Sequence, residues 1–280
     1  MNTATTAKGW QASLTLAFQH RAARTFLEHC AHQGPLQVQR PFYPEGDAVC
    51  HIALLHPPGG VVGGDELHIQ AQLAPGAQAL LTTPAAGKFY RSAGPVARQI
   101  QQLSVDAGAT LEWLPQESII YAGARLDTLT RIELHGDARC IAWEIVCLGR
   151  PAAGETFTSG QYRQGFELWR EGEPLYLEHG RYAGGDAVLT APWGLQSQPV
   201  TATLLATGVP ADRVTELRTA VTGATAATEQ CTVTRLDGVL LCRYLGPSAN
   251  RARQLFTLAW SLLRPVVLNR PPCPSRFWMT

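Results

Sequence analysis

The chain has 280 residues, of which 45% are hydrophobic and 16% are charged, and 23 Lys and Arg residues against 22 Asp and Glu residues give a formal charge of +1. A balance this close to neutrality gives no electrostatic reason to expect a nucleic acid as partner. The low share of charged residues leaves limited charged surface, which favours an apolar patch used for a protein partner.

Cysteine usage and the two ends of the chain indicate the compartment. The seven cysteines are odd in number and irregularly spaced, which is typical of reduced thiols in a cytosolic protein. Residues 1–9 are polar and lack the apolar core of a secretory signal. The most apolar C-terminal run, residues 255–268, is interrupted by Arg264 and Pro265 and is too short to span a bilayer. We therefore expect a cytoplasmic protein with no membrane partner.

Strand patterns begin near the N-terminus. Residues 14–18 alternate between apolar and polar side chains, which predicts a strand with one buried face. A second strand begins at Thr25, and residues 36–43 predict a third, although its proline is typical of a sheet edge or a strand end. Because no long Ser- or Pro-rich linker divides the sequence, we expect one domain over residues 14–280 after a flexible N-terminus over residues 1–13.

The most distinctive stretch is residues 56–65, His-Pro-Pro-Gly-Gly-Val-Val-Gly-Gly-Asp. Glycine adopts left-handed backbone freely and a Pro-Pro step forbids helix, so this stretch predicts an ordered turn between two strands. The second of these strands is residues 67–73, where apolar and polar residues alternate. A phosphate-binding loop would lead into a helix rather than into Asp65, Glu66 and a strand, so we expect no nucleotide here. A tight turn without any ligand is the simplest interpretation.

A weak internal repeat follows. Gly76, Gly108 and Gly136 are about 30 positions apart, and each lies between two predicted strands. Turns at this spacing predict the coils of a β-solenoid, so the fold we expect is mainly β, with stacked β-sheets of β-helix-like character. An antiparallel sandwich would also produce regular turns and is the alternative. Residues 141–148 are almost continuously apolar, which predicts a central strand buried on both faces.

Two helices and a hairpin are predicted toward the C-terminus. Residues 210–221 and 248–263 carry apolar side chains at helical spacing, and Ser248 is placed to cap the second helix. Between the helices, residues 231–244 predict a β-hairpin with Asp237-Gly238 at its turn.

No catalytic constellation and no stable metal site stands out in the sequence. Neither the set His29, Cys30 and His32 nor the pair Cys50 and His51 has the spacing of a structural zinc site. The G-x-S-x-G motif of a nucleophile elbow is absent. Carboxylates on a β-solenoid can cleave polysaccharides, so a β-helical carbohydrate-active enzyme is the alternative function. That class needs clustered carboxylates or a calcium site on one strand face, and neither is evident.

Several motifs follow one another along the chain and carry a family resemblance. They are residues 34–43, 56–65, 82–92 (Thr-Thr-Pro-Ala-Ala-Gly-Lys-Phe-Tyr-Arg-Ser), 113–121, 149–155 (Gly-Arg-Pro-Ala-Ala-Gly-Glu) and the closing Arg276-Phe277-Trp278. In this order, and from about residue 14 to the end, they resemble the urease accessory protein family UreD, called UreH in some organisms. The chain departs from the family at Gly87, where threonine is common, and at residues 275–278, where Pro-Arg-Ile-Trp is commoner.

The resemblance implies a β-helix-like fold with a few helices and a protein that is not an enzyme. Members of this family join the accessory proteins UreF and UreG on apo-urease and help to deliver nickel to the urease active site, in family models through an internal tunnel. We therefore expect apo-urease and UreF as partners, with UreG reached through UreF. No tightly bound cofactor is expected, and nickel would be present only in transit.

The resemblance and the side-chain chemistry together indicate site residues. Asp65, Glu178 and His56 offer the oxygen and nitrogen donors that Ni²⁺ accepts, although each can equally have a structural role. The loops 56–65 and 82–92 are expected to form a mouth or a partner surface, and the C-terminal helix is expected to face UreF. The partner-binding residues that we expect are Lys88, Tyr90, Arg91, Arg251, Arg253 and Trp260.

Overall fold

The computed structural model describes residues 9–279. The strands are β1 Gln11–Arg21, β2 Arg24–Gln33, β3 Gln37–Val38, β4 Cys50–Leu55, β5 Glu66–Leu73, β6 Gln78–Thr82, β7 Gly87–Phe89, β8 Ala97–Val105, β9 Thr110–Trp113, β10 Ser118–Ile120, β11 Arg125–Leu134, β12 Arg139–Leu148, β13 Gln161–Arg170, β14 Glu173–Ala183, β15 Val200–Thr207, β16 Gln230–Leu236 and β17 Val239–Gly246. The α-helices are α1 Ala211–Ala224 and α2 Ala249–Leu268. None of the described helices is long and apolar enough to span a membrane.

The strands build two sheets that face each other. The first has the order β14-β13-β11-β8-β5-β1-β2, and the second has the order β16-β17-β15-β12-β9-β6-β4-β3, with β10 paired to β12 and β7 paired to β10. Pairing is parallel along β1, β5, β8, β11 and β13 in the first sheet and along β4, β6, β9 and β12 in the second. Because the chain alternates between the sheets as it advances, it winds as a β-solenoid. This confirms the predicted fold class and excludes the antiparallel sandwich.

The predicted glycine turns form one corner of the solenoid. Gly76, Gly108 and Gly136 all have a positive φ, at 76°, 71° and 54°. The Gly76 N–H donates to the Ala107 carbonyl oxygen at 3.3 Å, and the Gly108 N–H donates to Asp137 Oδ1 at 2.7 Å. Each turn therefore rests on the next, as the spacing of about 30 residues predicted.

The second sheet separates two hydrophobic cores. One core lies between the sheets, and the other lies between the second sheet and the two helices. Strand β12 contributes to both, with Ala142 and Val146 in the first core and Trp143 and Ile145 in the second. The prediction that this strand is buried on both faces is confirmed.

The C-terminal elements also follow the prediction. The Ser248 hydroxyl accepts a hydrogen bond from the Arg251 N–H at 3.4 Å and caps α2. Strands β16 and β17 form the expected hairpin, in which Asp237 and Gly238 have φ values of 41° and 88°. Helix α2 runs past its predicted end and contains Pro265.

One predicted strand near the N-terminus was wrong in extent. Residues 36–43 form only the short β3 and one bridge between Phe42 and His51, because Pro41 has no N–H to donate to a ladder. Strand β1 begins at Gln11, so residues 11–13 of the segment that we expect to be flexible form part of a strand. The rest of that prediction falls mainly on residues 1–8, which lie outside the described residues.

A buried ion pair ties α2 to the second sheet. Arg264 Nε lies 3.0 Å from Glu112 Oε1 on β9, and Trp260 Nε1 donates to the same oxygen at 2.6 Å. Glu45 also contacts the Arg264 guanidinium group. Since a buried carboxylate is stable only with such donors, this network fixes the position of α2 over the solenoid.

Candidate functional site

A cavity of about 470 Å³ lies inside the solenoid. Its outer wall comes from residues of the 56–61 and 83–88 loops, including His56 and Lys88. Its inner wall includes Gln101, Glu144 and Tyr162, which belong to strands of both sheets. The two loops that we expected to form a mouth therefore both line the outer part of one cavity.

Backbone hydrogen bonds hold these two loops together. The Val61 N–H donates to the Lys88 carbonyl oxygen, and the Tyr90 N–H donates to the Val61 carbonyl oxygen, each at 2.8 Å. The ring of Tyr90 lies where a side chain at position 60 would have to be, so Gly60 is required for this approach. The mouth is therefore an ordered structure that the glycine-rich stretch makes possible.

Asp65 holds the base of the mouth. Its Oδ1 accepts a hydrogen bond from the Trp10 N–H at 2.8 Å, and its Oδ2 accepts one from the Val62 N–H at 2.9 Å. The side chain is almost fully buried. Both oxygens of this predicted nickel ligand thus bind backbone, and the loop conformation depends on them.

His56 lines the cavity close to Asp65. Burial lowers the pKa of His56, and the negative charge of Asp65 acts in the opposite direction. A lowered pKa keeps the imidazole neutral at neutral pH, so one ring nitrogen retains a lone pair that can bind a cation. His56 is therefore a possible donor at the outer part of the cavity.

Glu144 lies at the inner end of the cavity, in the middle of β12. Its Oε1 accepts a hydrogen bond from Thr130 Oγ1 at 2.5 Å, and its Oε2 accepts one from Gln164 Nε2 at 2.6 Å. Thr130 Oγ1 also contacts Gln101 Oε1. A hydroxyl has one hydrogen, so it cannot donate to both of its acceptors at once. A proton on Glu144 would resolve this conflict, because the carboxylic acid could then donate to Thr130.

The environment of Glu144 favours its neutral form. Burial raises the pKa of Glu144 to about 7, the hydrogen bonds from Thr130 and Gln164 lower it, and the charge of Glu178 raises it further. Within the described residues no Lys, Arg or His forms an ion pair with Glu144. The carboxyl group is half-buried because it faces the cavity, and no cationic side chain of the described residues balances its charge, so it is an oxygen donor that a cation could reach.

The polar side chains continue from Glu144 toward the last coil. We call Gln101, Thr130, Glu144, Gln164, Glu178 and Arg243 the polar band. Phe166 pairs with Thr130 on one side and with Glu178 on the other, which sets Thr130 and Glu178 on the same side of the first sheet. In the second sheet, Thr203 of β15 pairs with Glu144 of β12 on one side and with Arg243 of β17 on the other. Glu144 and Arg243 therefore lie on the same side of the second sheet.

Glu178 lies at the far end of the polar band. Its Oε2 accepts a hydrogen bond from the Tyr176 hydroxyl at 2.8 Å, and its Oε1 is 4.0 Å from Arg243 Nη2. Arg243 Nη2 in turn donates to the Tyr176 hydroxyl at 2.6 Å. These contacts join β14 to β17 and close the space between the two sheets at this end.

The structure does not bring the three predicted nickel ligands into one site. His56 and Asp65 are near each other at the mouth, whereas Glu178 belongs to the last coil. Within residues 9–279, no group of three or more His, Cys, Asp and Glu side chains has the arrangement of a metal site. The donors are instead spread along the interior, with Glu144 between the mouth and Glu178.

The predicted partner residues fall into two groups. Lys88 and Arg91 are exposed and Tyr90 is half-buried, all beside the mouth. On α2, Arg251 pairs with Glu229 at 3.0 Å and Arg253 pairs with Glu117 at 2.8 Å. The remaining predicted residue of α2, Trp260, is 0% exposed, so it belongs to the core beneath the helix and not to a surface.

Glu144 and the side chains around it are not among the residues that the sequence predicts for the site. The sequence does contain a signal for Glu144, because it is the one charged residue in the apolar run 141–148. A charge in a strand that is predicted to be buried on both faces must have partners or a function. Its partners Thr130 and Gln164 could not be identified in the same way, since polar residues on alternating strands are common.

The fold and the cavity define a β-solenoid protein whose interior cavity carries a few polar side chains and is reached from a glycine-rich mouth. The sequence model of the family described as UreD urease accessory protein matches residues 11–279. The chain is 47% identical over 272 residues to the urease accessory protein UreD of Azoarcus sp. (strain BH72), covering 97% of this chain and 95% of that protein. It is 44% identical over 278 residues to the UreD of Nostoc sp. (strain PCC 7120 / SAG 25.82 / UTEX 2576), covering 99% of each. This chain belongs to the UreD urease accessory protein family.

Proposed function

We propose that this chain is a scaffold in urease maturation that is not itself an enzyme and that acts in the cytoplasm. It binds apo-urease and UreF, reaches UreG through UreF, and conducts nickel along its interior toward the urease active site. Family membership supports the role in maturation and favours it over the carbohydrate-active enzyme. Nickel is the cargo in this proposal, and no tightly bound cofactor takes part.

The observation that carries the transit proposal is the uncompensated carboxyl group of Glu144 inside the cavity. An ionised carboxylate that faces an interior cavity without a cationic partner lowers stability, so a purely structural role would be served better by an apolar residue. A divalent cation removes that penalty when it displaces the proton. Ni²⁺ accepts oxygen and nitrogen donors, and the interior supplies both.

The nickel donors form a series of weak binding positions along the interior and not one strong binding site. His56 supplies a neutral nitrogen at the mouth, Glu144 supplies an oxygen at the centre, and Glu178 supplies one at the far end. Asp65 contributes by holding the mouth in shape. Transit requires weak binding at each position, because a closed site with three or more ligands would retain the metal.

Helix α2 is proposed to face UreF through Arg251 and Arg253. Both arginines lie in its first turns, where the helix dipole disfavours positive charge. Glu229 and Glu117 compensate for this charge within the chain. Arg251 keeps a side-chain exposure of 36%, so it can contact a partner without leaving its carboxylate.

Co-expression tests this proposed function. Apo-urease, UreF and UreG are produced with and without this chain, the complexes are isolated on a tag carried by the chain, and the nickel content of the urease is measured. We expect urease and UreF to be captured and the nickel content to fall when the chain is omitted. Failure to capture either protein, with unchanged nickel content, would contradict the proposal.

A further inference from the structure

Three sequence motifs meet beside the mouth and place exposed cationic side chains around two half-buried tyrosines. We call Lys88, Tyr90, Arg91, Tyr121 and Arg150 the ridge. The rings of Tyr90 and Tyr121 meet edge to face at 4.9 Å, and the Arg150 guanidinium lies 4.7 Å from the centre of the Tyr121 ring. These side chains come from the 82–92, 113–121 and 149–155 motifs. The stacking of neighbouring coils therefore places them on one surface.

The backbone around the ridge is adapted to these side chains. A Cβ at position 60 would lie 2.1 Å from the Tyr90 ring, and a Cβ at position 123 would lie 2.7 Å from the Arg91 side chain. Gly123 also has a φ of 81°. Glycine at both positions lets the aromatic ring and the arginine lie flat on the backbone. Tyr90 and Arg91 are thus held against the backbone before any partner binds, which lowers the entropy cost of binding.

The charge of the ridge is not balanced within the described residues. Arg150 forms an ion pair with Glu155, and Glu155 also interacts electrostatically with Arg91, whereas Lys88 is exposed and forms no ion pair among the described residues. Rigid tyrosines beside arginines are the side chains that dominate protein interfaces. The net positive charge of Lys88, Arg91 and Arg150 against the single carboxylate of Glu155 favours a partner surface that presents carboxylates.

We propose that the ridge is the docking surface for the protein that receives nickel from the adjoining mouth, and that this partner presents an acidic surface to Lys88 and Arg91. The proposal rests on the proposed function, in which the receiver is apo-urease. It adds the surface that binds this partner and the end of the cavity from which the metal leaves.

The position of Lys88 supports transfer of nickel out of the mouth to the docked partner. Lys88 lines the cavity mouth, and Arg91 is close to it in the chain. Positive charge at an opening repels a free divalent cation, so this end is unsuited to capturing nickel from solution. Carboxylates of a docked partner would neutralise that charge and provide donors for the departing ion. The mouth then passes metal only when the receiver is in place.

The test compares two double charge reversals in the full chain co-purified with UreF. K88E/R91E changes the ridge, and R163E/R181E makes the same change on two exposed arginines that pair on the outer face of the first sheet. Affinity for purified apo-urease is measured at low and at high salt. We expect K88E/R91E to weaken binding by at least about 10-fold at low salt and to reduce its salt dependence, with K88M/R91M between it and the wild type. The control should match the wild type.

The outcomes separate this proposal from the proposed function. Equal binding of apo-urease by the wild type and K88E/R91E would overturn the ridge proposal and leave the proposed function standing. Loss of UreF instead of apo-urease in K88E/R91E would overturn it too, because the ridge would then bind a different partner. If the wild type itself did not bind apo-urease, the proposed function would fail first.

Discussion

Glu144 of β12 and Gln164 of β13 meet across the interior of the solenoid, where Gln164 Nε2 donates to Glu144 Oε2 at 2.6 Å. The two residues belong to different sheets, so a polar contact replaces the apolar packing that joins the sheets elsewhere. Because Glu144 lies at the inner end of the cavity, it is the residue on which the proposed passage of nickel most depends.

The first prediction concerns the pH dependence of stability. Because the pKa of Glu144 in the folded protein is about 7, above its usual 4.5, its ionisation lowers the stability of the fold as the pH rises between these values. The variant E144Q cannot ionise there. We expect its free energy of unfolding, relative to the wild type, to rise by about 3 kcal/mol between pH 4.5 and pH 8 in urea denaturation. A difference that does not change with pH would contradict the assignment.

The second prediction concerns Asp65. The variant D65A leaves the N–H groups of Trp10 and Val62 without their acceptor, and we expect it to lower the free energy of unfolding by about 3 kcal/mol. D65N is the matched control, since its amide retains one acceptor oxygen and should lose about half as much. Urea denaturation measures both. Wild-type stability in D65A would show that the carboxylate does not hold the mouth.

The third prediction concerns the buried pair beneath α2. E112A leaves Arg264 without its main partner in the second core, and we expect a loss of about 4 kcal/mol in the free energy of unfolding. Replacing both residues in E112M/R264M removes the charge together with its partner and should cost much less. A double variant as unstable as E112A would mean that the contact contributes by shape and not by charge.

The fourth prediction separates a partner contact from a structural one on α2. R253E breaks the ion pair with Glu117, so reduced capture of UreF would by itself be ambiguous. The swap E117R/R253E restores the pair with its charges exchanged. If Arg253 contacts UreF, capture in pull-down should fall in R253E and stay low in the swap. Recovery of capture in the swap would assign Arg253 a structural role only.

The solenoid could be predicted because its signals are local. Gly76, Gly108 and Gly136 recur once in each coil and adopt the left-handed backbone that glycine favours, so their spacing reports the coil length directly. Ser248 likewise has a cap geometry that depends on its neighbours alone. Such features are encoded within a few residues of the chain.

Features that depend on distant segments were missed. Trp260 is a predicted partner residue, but its indole donates to Glu112, about 150 positions earlier in the chain, and lies in the core. Pro265 suggested an interruption, yet the adjacent Arg264 is held by Glu45 and Glu112 and the helix continues. The partners of Glu144 also come from other coils, so the polar band became visible only in the folded chain.

The most direct test of nickel transit is the nickel content of urease matured with variants of this chain. E144Q and E178A remove donors from the polar band, and E173Q is the matched control because Glu173 is exposed at the start of β14. The complex with UreF and apo-urease is isolated in each case to show that it assembles. We expect E144Q and E178A to lower the nickel content at least about fivefold, since removing a carboxylate weakens binding of Ni²⁺, and E173Q to match the wild type. Full nickel loading by E144Q in an assembled complex would contradict passage through the interior.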